Sequence, residues 1–285
     1  MDPLALRHIL CPTDFGDLST LALAHAARLA ERAQARLTVL YADLFLPPRE
    51  FTAAQADVLA RSLQKERAAA ERALRRYVAE HVPENVAVDT VVATAWPADA
   101  ILAEADRRKA DVVVMGTHGR SGLNRLVMGS VTERVLNEAR TPVLAVRPSP
   151  ATAAPGHEVR RILVPTDFSP AAHAALLQAS GLSQLLGAEL VVAHVTTSRE
   201  REAGAQEQAC AWVPEEVRVR CSLRHLVRHG DPADEILAAT VEEGIDLIVL
   251  GARRRRLFDL SVWGTTTERV VRHAPAPVWV VPATN

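Results

Sequence analysis

The residues best suited to chemistry form a glycine-rich segment in the first half of the chain. Gly116, Gly119 and Gly129 are separated by two and nine residues, and Ser130 follows the last of them. The segment lies between an apolar strand-like run at 112–115 and a helical pattern. Glycine lets the backbone take a positive φ and approach a ligand closely, and the N–H groups that open a helix favour phosphate. The pattern predicts a phosphate-binding loop, although it matches neither the P-loop nor the dinucleotide fingerprint.

Ser130 also allows a purely structural interpretation. Ser130 and Glu133 have the S-x-x-E spacing of a capping box, as do Thr265 and Glu268 later in the chain. A capping hydroxyl bonds to its own helix and need not touch a ligand. The residues alone leave both interpretations open.

A second candidate follows the first apolar run, where Pro12 and Thr13 precede Asp14. The proline would end strand pairing, which leaves Asp14 as a carboxylate at the end of a strand. Ligands bind at the carboxyl ends of strands in open parallel sheets. The alternative is that Asp14 or Asp17 only caps the next helix.

Two side chains of the glycine-rich segment could act on a phosphate. The guanidinium of Arg120 suits phosphate oxygens. His118 could act as a base, but the sequence offers it no nucleophile or metal partner, so we expect a polar loop residue. The arginine run at 253–256 could hold an anion, although such a run more often forms a solvated surface.

The chain contains an internal duplication. Residues 7–15 match residues 160–168 at seven of nine positions, with an offset of 153. Residues 129–135 match residues 264–270 with an offset of 135, so the second copy lacks 18 residues between the two blocks. A period this long indicates two domains rather than a solenoid. The predicted domains are 1–147 and 158–285, joined by a proline-containing linker at 148–157.

Within each copy, short apolar runs alternate with helical patterns. Strands are predicted at 9–12, 37–42, 86–92, 111–115 and 143–146, and helices at 18–33, 50–82, 98–108 and 130–139. This alternation predicts an α/β fold with a parallel sheet covered by helices on both faces. The 18 missing residues fall after Val195, so the second helix of the second copy should be short or absent.

Composition excludes several classes of protein. The 285 residues carry 33 basic and 34 acidic side chains, a net charge of −1, which argues against a bulk polyanion binder. No apolar run reaches the length of a membrane span, and the N-terminus lacks a signal-peptide pattern. Cys11, Cys210 and Cys221 fit no zinc or redox spacing. These features predict a cytoplasmic protein with reduced, structural cysteines.

The glycine spacing and the repeated blocks resemble the universal stress protein (UspA) family in a tandem two-domain form. Its nucleotide motif is G-x2-G-x9-G-[ST], and the early Pro-Thr-Asp-Phe and the later Gly-Ser-Val-Thr-Glu runs are typical of it. The resemblance implies two Rossmann-like (adenine nucleotide alpha hydrolase-like) domains, each with a five-stranded parallel sheet. It also implies ATP binding, together with Mg²⁺, and a stress-response role.

The resemblance assigns the adenosine to the ends of the first two strands and the phosphates to the glycine loop. The residues it implies are Pro12, Thr13, Asp14, Ala42, Met115, Gly116, His118, Gly119, Arg120, Gly129, Ser130, Val131 and Thr132. One departure is Ala95, where the second copy has Gly230 and the family often has glycine.

The second copy departs further from the motif. It keeps Asp167, Val195, Gly251, Gly264 and Thr265, but Arg254 replaces the second glycine. A Cβ in a left-handed backbone costs about 1–2 kcal/mol. We therefore expect a degenerate second site that serves a structural role.

Three functions remain open at this stage: an ATP-binding regulator, a nucleotide-independent interaction module, and a slow ATPase or phosphoryl-transfer enzyme. The intact first loop favours the regulator. No nucleophile is paired with a general base, so hydrolysis should be weak at most. The family pairs its last strands between subunits, so the apolar runs 143–146 and 278–281 should pair as an internal pseudo-dimer. Association of whole chains into a homodimer is also compatible with the resemblance.

Overall fold

The structure is a computed structural model that describes residues 4–44, 53–118, 128–148, 158–197, 202–252 and 265–282. In the first half, five strands alternate with four helices along the chain. They are β1 (His8–Thr13), α1 (Asp17–Ala33), β2 (Arg36–Ala42), α2 (Ala53–His81), β3 (Val88–Ala93), α3 (Pro97–Arg108), β4 (Val112–Gly116), α4 (Ser130–Glu138) and β5 (Val143–Val146).

The second half repeats this order with a different connection after its second strand. Its elements are β6 (Arg161–Thr166), α5 (Pro170–Leu186), β7 (Glu189–Thr196), α6 (Glu202–Trp212), α7 (Glu215–Arg220), β8 (Leu223–His229), α8 (Pro232–Glu242), β9 (Leu247–Gly251), α9 (Thr265–His273) and β10 (Val278–Val281). Helix α2 has 29 residues, whereas α6 and α7 have 11 and 6.

All ten strands form one sheet in the order β3-β2-β1-β4-β5-β10-β9-β6-β7-β8. Each half is parallel throughout, and β5 and β10 meet in the middle as an antiparallel pair. Helices cover both faces of the sheet, which explains why its central strands are apolar on both sides. The predicted α/β class with two Rossmann-like units is confirmed.

Because side chains alternate along each strand, the buried core forms two layers, one on each side of the sheet. Ile9 and Cys11 lie in the layer that packs against α1, α2 and α5, and Leu10 lies in the layer under α3, α4, α8 and α9. We call these the first and second faces of the sheet. None of the described helices is both long enough and apolar enough to cross a membrane.

The β5–β10 contact forms the centre of the sheet. Trp279 pairs with Leu144, and its side chain is only 1% exposed. Its indole Nε1 donates to Gln178 Oε1 of α5 at 2.8 Å, so the buried N–H has a partner. The last strands of the two halves thus cover each other's edges, which would otherwise offer unpaired backbone groups.

Candidate functional site

The first candidate site lies where the order of strands reverses. The chain leaves β1 for β2 on one side and later returns to β4 on the other. Thr13 pairs with Tyr41, which brings Asp14 beside Ala42, while Met115 and Gly116 end the neighbouring strand β4. Ligands of open α/β sheets bind at this switch point. The structure therefore brings the predicted residues together at the carboxyl ends of these strands, on the side of the second face.

A strained turn connects β1 to α1. Phe15 has a φ of 62°, in the left-handed region that bulky residues avoid. Thr13 Oγ1 accepts the N–H of Phe15 at 3.0 Å, and Asp14 Oδ1 accepts that of Gly16 at 3.0 Å. The ring of Phe15 contacts Tyr41 and Tyr77, with centroids 4.8 and 5.2 Å apart. Two side-chain hydrogen bonds and two ring contacts hold this conformation.

In this structure neither Asp14 nor Asp17 caps α1, contrary to the alternative interpretation of the sequence. The N-cap of α1 is Gly16, and no side chain caps the helix. Asp14 shapes the turn before the helix, and Asp17 lies inside the first turn.

Ser130 does not form the capping box that its spacing to Glu133 suggests. The N-cap is Gly129, and no side chain bonds to the helix start. Ser130 is the first helical residue and is exposed, one position beyond the place where a hydroxyl could cap. The N–H of Glu133 bonds to the carbonyl of Gly129 instead. The first three N–H groups of α4, at Ser130, Val131 and Thr132, precede the helical ladder.

Hydrogen bonds join this helix start to the end of β4. Thr132, which is buried, donates from Oγ1 to the carbonyl of Gly116 at 2.8 Å, so its hydroxyl has a structural role. The N–H of Gly129 bonds to the carbonyl of Thr117, and the N–H of Thr117 bonds to that of Val146. The two ends of the glycine-rich segment are therefore fixed to α4 and β5.

The close packing of Gly116 against α1 was not predicted, and its backbone φ differs from the one expected. It is not among the described residues with positive φ. A Cβ at this position would lie 2.7 Å from Leu18 Cγ and 3.2 Å from the Leu18 carbonyl oxygen of α1. At the equivalent Gly251, a Cβ would lie 2.1 Å from the carbonyl oxygen of Ala171. Glycine here allows a helix to pack closely against the strand end.

The other predicted loop residues fall in two groups. His118 is described, and its Nδ1 lies 2.9 Å from Thr117 Oγ1. Gly119 and Arg120 lie outside the described residues, as do Arg254 and Gly264. Across the described ranges, no group of three His, Cys, Asp or Glu side chains has the geometry of a metal site.

The second copy repeats the turn but not its surroundings. Phe168 has the same φ of 62°, and Asp167 and Thr166 accept the equivalent N–H groups. His194 replaces Tyr41, and its ring lies 4.4 Å from that of Phe168. Its Nδ1 is 2.9 Å from the carbonyl oxygen of Thr166.

The left-handed backbone conformation of Phe15 was not predicted from the sequence. The available signal was the repeated Thr-Asp-Phe, because Thr and Asp favour side-chain hydrogen bonds to the backbone two residues on. Glycine at the third position would have been the ordinary expectation for positive φ.

Comparison with known proteins agrees with this architecture. The family model for the universal stress protein family matches residues 5–147 and 158–282. Universal stress protein MJ0531 of Methanocaldococcus jannaschii is 34% identical over 141 residues, which are 50% of this chain and 82% of that protein. A universal stress protein of Thermus aquaticus, encoded beside a QAH/OAS sulfhydrylase, is 34% identical over 142 residues, 50% of this chain and 98% of that protein.

Solved structures share the fold along both halves of the chain. The crystal structure of a universal stress protein from Archaeoglobus fulgidus superposes with a TM-score of 0.74 and 21% identity, covering 96% of this chain and 98% of that one. Since the family model matches both halves, this chain belongs to the universal stress protein family.

Proposed function

We propose that the first domain binds ATP in the crevice between the ends of β1, β2 and β4, and that the bound nucleotide serves a regulatory role. The observation that carries the proposal is the uncapped N-terminus of α4 beside this crevice. Its N–H groups at Ser130, Val131 and Thr132 lie next to Gly116, at the site where a phosphate would be favoured.

The side chains divide this crevice into two parts. Asp14, Ala42 and Met115 lie at the strand ends, where an apolar surface and one carboxylate suit a base and a ribose hydroxyl. The hydroxyl of Ser130 and the start of α4 lie on the phosphate side. Mg²⁺ would be held mainly by the phosphates, because it usually retains waters and binds few protein ligands.

We expect the second domain to have a structural role instead of a nucleotide site. Asp167 makes the same turn hydrogen bond as Asp14, but Arg254 interrupts the glycine spacing. We expect one nucleotide for each chain, bound in the first domain.

The duplicated strand-end aspartates allow a matched test. Asp14→Ala and Asp167→Ala each remove the same hydrogen bond to the following turn, so their structural effects should be similar. A lost hydrogen bond to a charged group is worth about 1.5–3 kcal/mol. Calorimetric titration should therefore show at least a roughly tenfold loss of ATP affinity for Asp14→Ala and no change for Asp167→Ala. Equal losses, or none in either variant, would contradict the assignment.

Catalysis is expected to be slow. The hydroxyl that lies 2.9 Å from the imidazole of His118 belongs to Thr117, which is buried. Phosphate release should therefore fall far below the enzyme median of about 10 per second. Rapid release that His118→Ala abolishes, with ATP affinity intact, would instead indicate an enzyme.

The pairing of β5 with β10 favours a second, compatible role, in which the two domains form an internal pseudo-dimer that presents one interaction surface. If the purified chain releases no nucleotide and binds none in titration, this nucleotide-independent module becomes the preferred function.

A further inference from the structure

The side chain of Trp96 is 62% exposed, although tryptophan is a large and mostly apolar residue. It lies between the end of β3 and Pro97, the first residue of α3. Strands β2 and β3 end side by side, because Ala42 pairs with Ala93. Trp96 is therefore at the same carboxyl end of the sheet as the proposed nucleotide crevice.

A salt bridge places Trp96 near the start of α4. Asp99 of α3 accepts a hydrogen bond from the guanidinium of Arg134 of α4 at 2.5 Å. Trp96 precedes Asp99, and Ser130 precedes Arg134, by about one helical turn. Both helices begin at the carboxyl ends of parallel strands, so their first residues lie on the same side of the sheet. The axes of packed helices are about 8–10 Å apart, so a nucleotide with its phosphates at the start of α4 can reach Trp96 with its base.

The second domain shows what this position does when it carries no aromatic ring. The counterpart of Trp96, at the offset of 135, is Asp231, the N-cap of α8. Its Oδ1 accepts the N–H groups of Ala233 and Asp234 at 3.0 and 3.1 Å. Trp96 is the N-cap of α3, but its side chain makes no capping hydrogen bond. Helix α3 therefore lacks a stabilising cap, and the exposed ring is not explained by the stability of the fold.

The side chains beside this position also differ between the two domains. In the second domain, Arg228 at the end of β8 pairs with Glu235 of α8 at 2.6 Å. The counterparts of these two residues in the first domain are Ala93 and Ala100. Both alanines lie on the second face of the sheet, toward the proposed crevice. The first domain thus has small apolar side chains where the second has a bulky ion pair, and such a surface suits the flat face of a nucleobase.

We propose that Trp96 stacks on the purine base of the nucleotide in the first domain. The inference rests on the proposed function and adds to it a residue that recognises the base. Stacking on aromatic side chains is a common source of affinity for bases, because every base has a π-face. The second domain has Asp231 in place of the ring, so it lacks this contact.

The first test compares two variants of the full chain in ATP titrations. Trp96→Leu removes the aromatic ring and keeps an apolar side chain, whereas Trp96→Phe keeps a ring. Calorimetry should show about a tenfold loss of ATP affinity for Trp96→Leu and a loss of at most about threefold for Trp96→Phe. At saturating ATP, the tryptophan emission of the original chain should decrease, and that of Trp96→Phe should stay unchanged.

A capping variant separates binding from stability. Trp96→Asn supplies the neutral cap that α3 lacks, so it should raise the melting temperature by about 2 °C. It should also weaken ATP binding as much as Trp96→Leu does. The control is Val241→Asn, at a side chain of α8 that is 68% exposed, which should leave ATP affinity unchanged.

Three results would overturn the stacking role. They are an unchanged ATP affinity in Trp96→Leu, an equal change of emission in Trp96→Phe and the original chain, and a lower melting temperature in Trp96→Asn. If Asp14→Ala weakens ATP binding and Trp96→Leu does not, only the stacking fails. If the original chain binds no ATP, the proposed function fails with it.

Discussion

Ser130 lies one residue after the N-cap of α4, so its proposed role in ligand binding can be tested separately from helix capping. As the first residue of α4 it makes no capping hydrogen bond, so Ser130→Ala should change the free energy of unfolding by less than about 0.5 kcal/mol. The same substitution should weaken ATP binding, because it removes a hydroxyl beside the helix start. Urea denaturation and ATP titration of one protein preparation measure both effects.

Ser169 provides the control for this prediction. It is the N-cap of α5, and its Oγ accepts the N–H of Ala172 at 3.2 Å. Ser169→Ala should cost about 1 kcal/mol of stability and leave ATP affinity intact. A large stability loss in Ser130→Ala without loss of affinity would restore the capping role.

His8 links stability to pH. Burial, assisted by the nearby Arg108, holds the pKa of this histidine below its ordinary value, so folding favours the neutral ring. The unfolded chain then binds more protons, and stability decreases as the pH falls from about 6.5 toward the folded pKa. The carboxylates of Asp89 and Asp111 oppose this shift. Urea denaturation between pH 7.5 and 5 should show a smaller decrease for His8→Gln than for the original chain.

His225 on β8 allows an independent check. Burial, with Arg218 nearby, also lowers the pKa of its ring. Because β1 and β8 lie in different halves of the sheet, the effects of His8→Gln and His225→Gln should add. Parallel pH profiles for the original chain and both variants would refute the assignment of the pH dependence to these rings.

At the scale of elements, Arg147 joins the end of β5 to a helix of the other domain. Its guanidinium donates to the carbonyls of Val271 and Arg272, at the C-terminal end of α9. A cation there satisfies free carbonyls and complements the helix dipole, at about 0.3–2 kcal/mol. Arg147→Met should lower the free energy of unfolding by about 1 kcal/mol, measured by urea denaturation.

The matched control is Arg140→Met, which removes an exposed arginine of the same domain. It should change stability by less than about 0.5 kcal/mol. Equal effects of the two substitutions would mean that Arg147 contributes only general surface charge.

Most elements could be predicted from sequence because their patterns are strong. The run at 143–146 is β5 with unchanged bounds, and the helix predicted at 98–108 begins one residue earlier, at Pro97. Proline is favoured in the first helical turn, where its missing N–H costs nothing. Apolar periodicity locates a helix well, but its ends depend on individual backbone angles.

The site was harder to predict because its details depend on tertiary contacts. The glycine spacing predicts a site after β4, but the packing of Leu18 against Gly116 requires knowledge of where α1 lies. Likewise, the S-x-x-E spacing at Ser130 is compatible with two registers of the helix start. The left-handed Phe15 depends on rings from β2 and α2, which no local pattern contains.

At the scale of the whole molecule, the central seam makes one sheet from two domains. Each of these two strands, β5 and β10, pairs with a parallel strand of its own domain on one side. On the other side, β5 and β10 pair with each other. Unfolding either domain would therefore expose the apolar edge of the other. We expect the chain to unfold in a single cooperative transition, although each half has its own helices on both faces.

Trp279 is the residue on which this coupling can be tested. Trp279→Ala removes a fully buried ring and leaves Gln178 without its indole partner. Such a truncation costs about 3–5 kcal/mol, and the loss falls on the seam itself. Scanning calorimetry should show a large decrease in the first melting temperature and two resolved transitions. Trp96→Ala, which truncates a ring that is 62% exposed, should keep the original single transition. A single transition in Trp279→Ala, shifted no further than in Trp96→Ala, would mean that the Trp279 ring does not contribute to the coupling of the two domains.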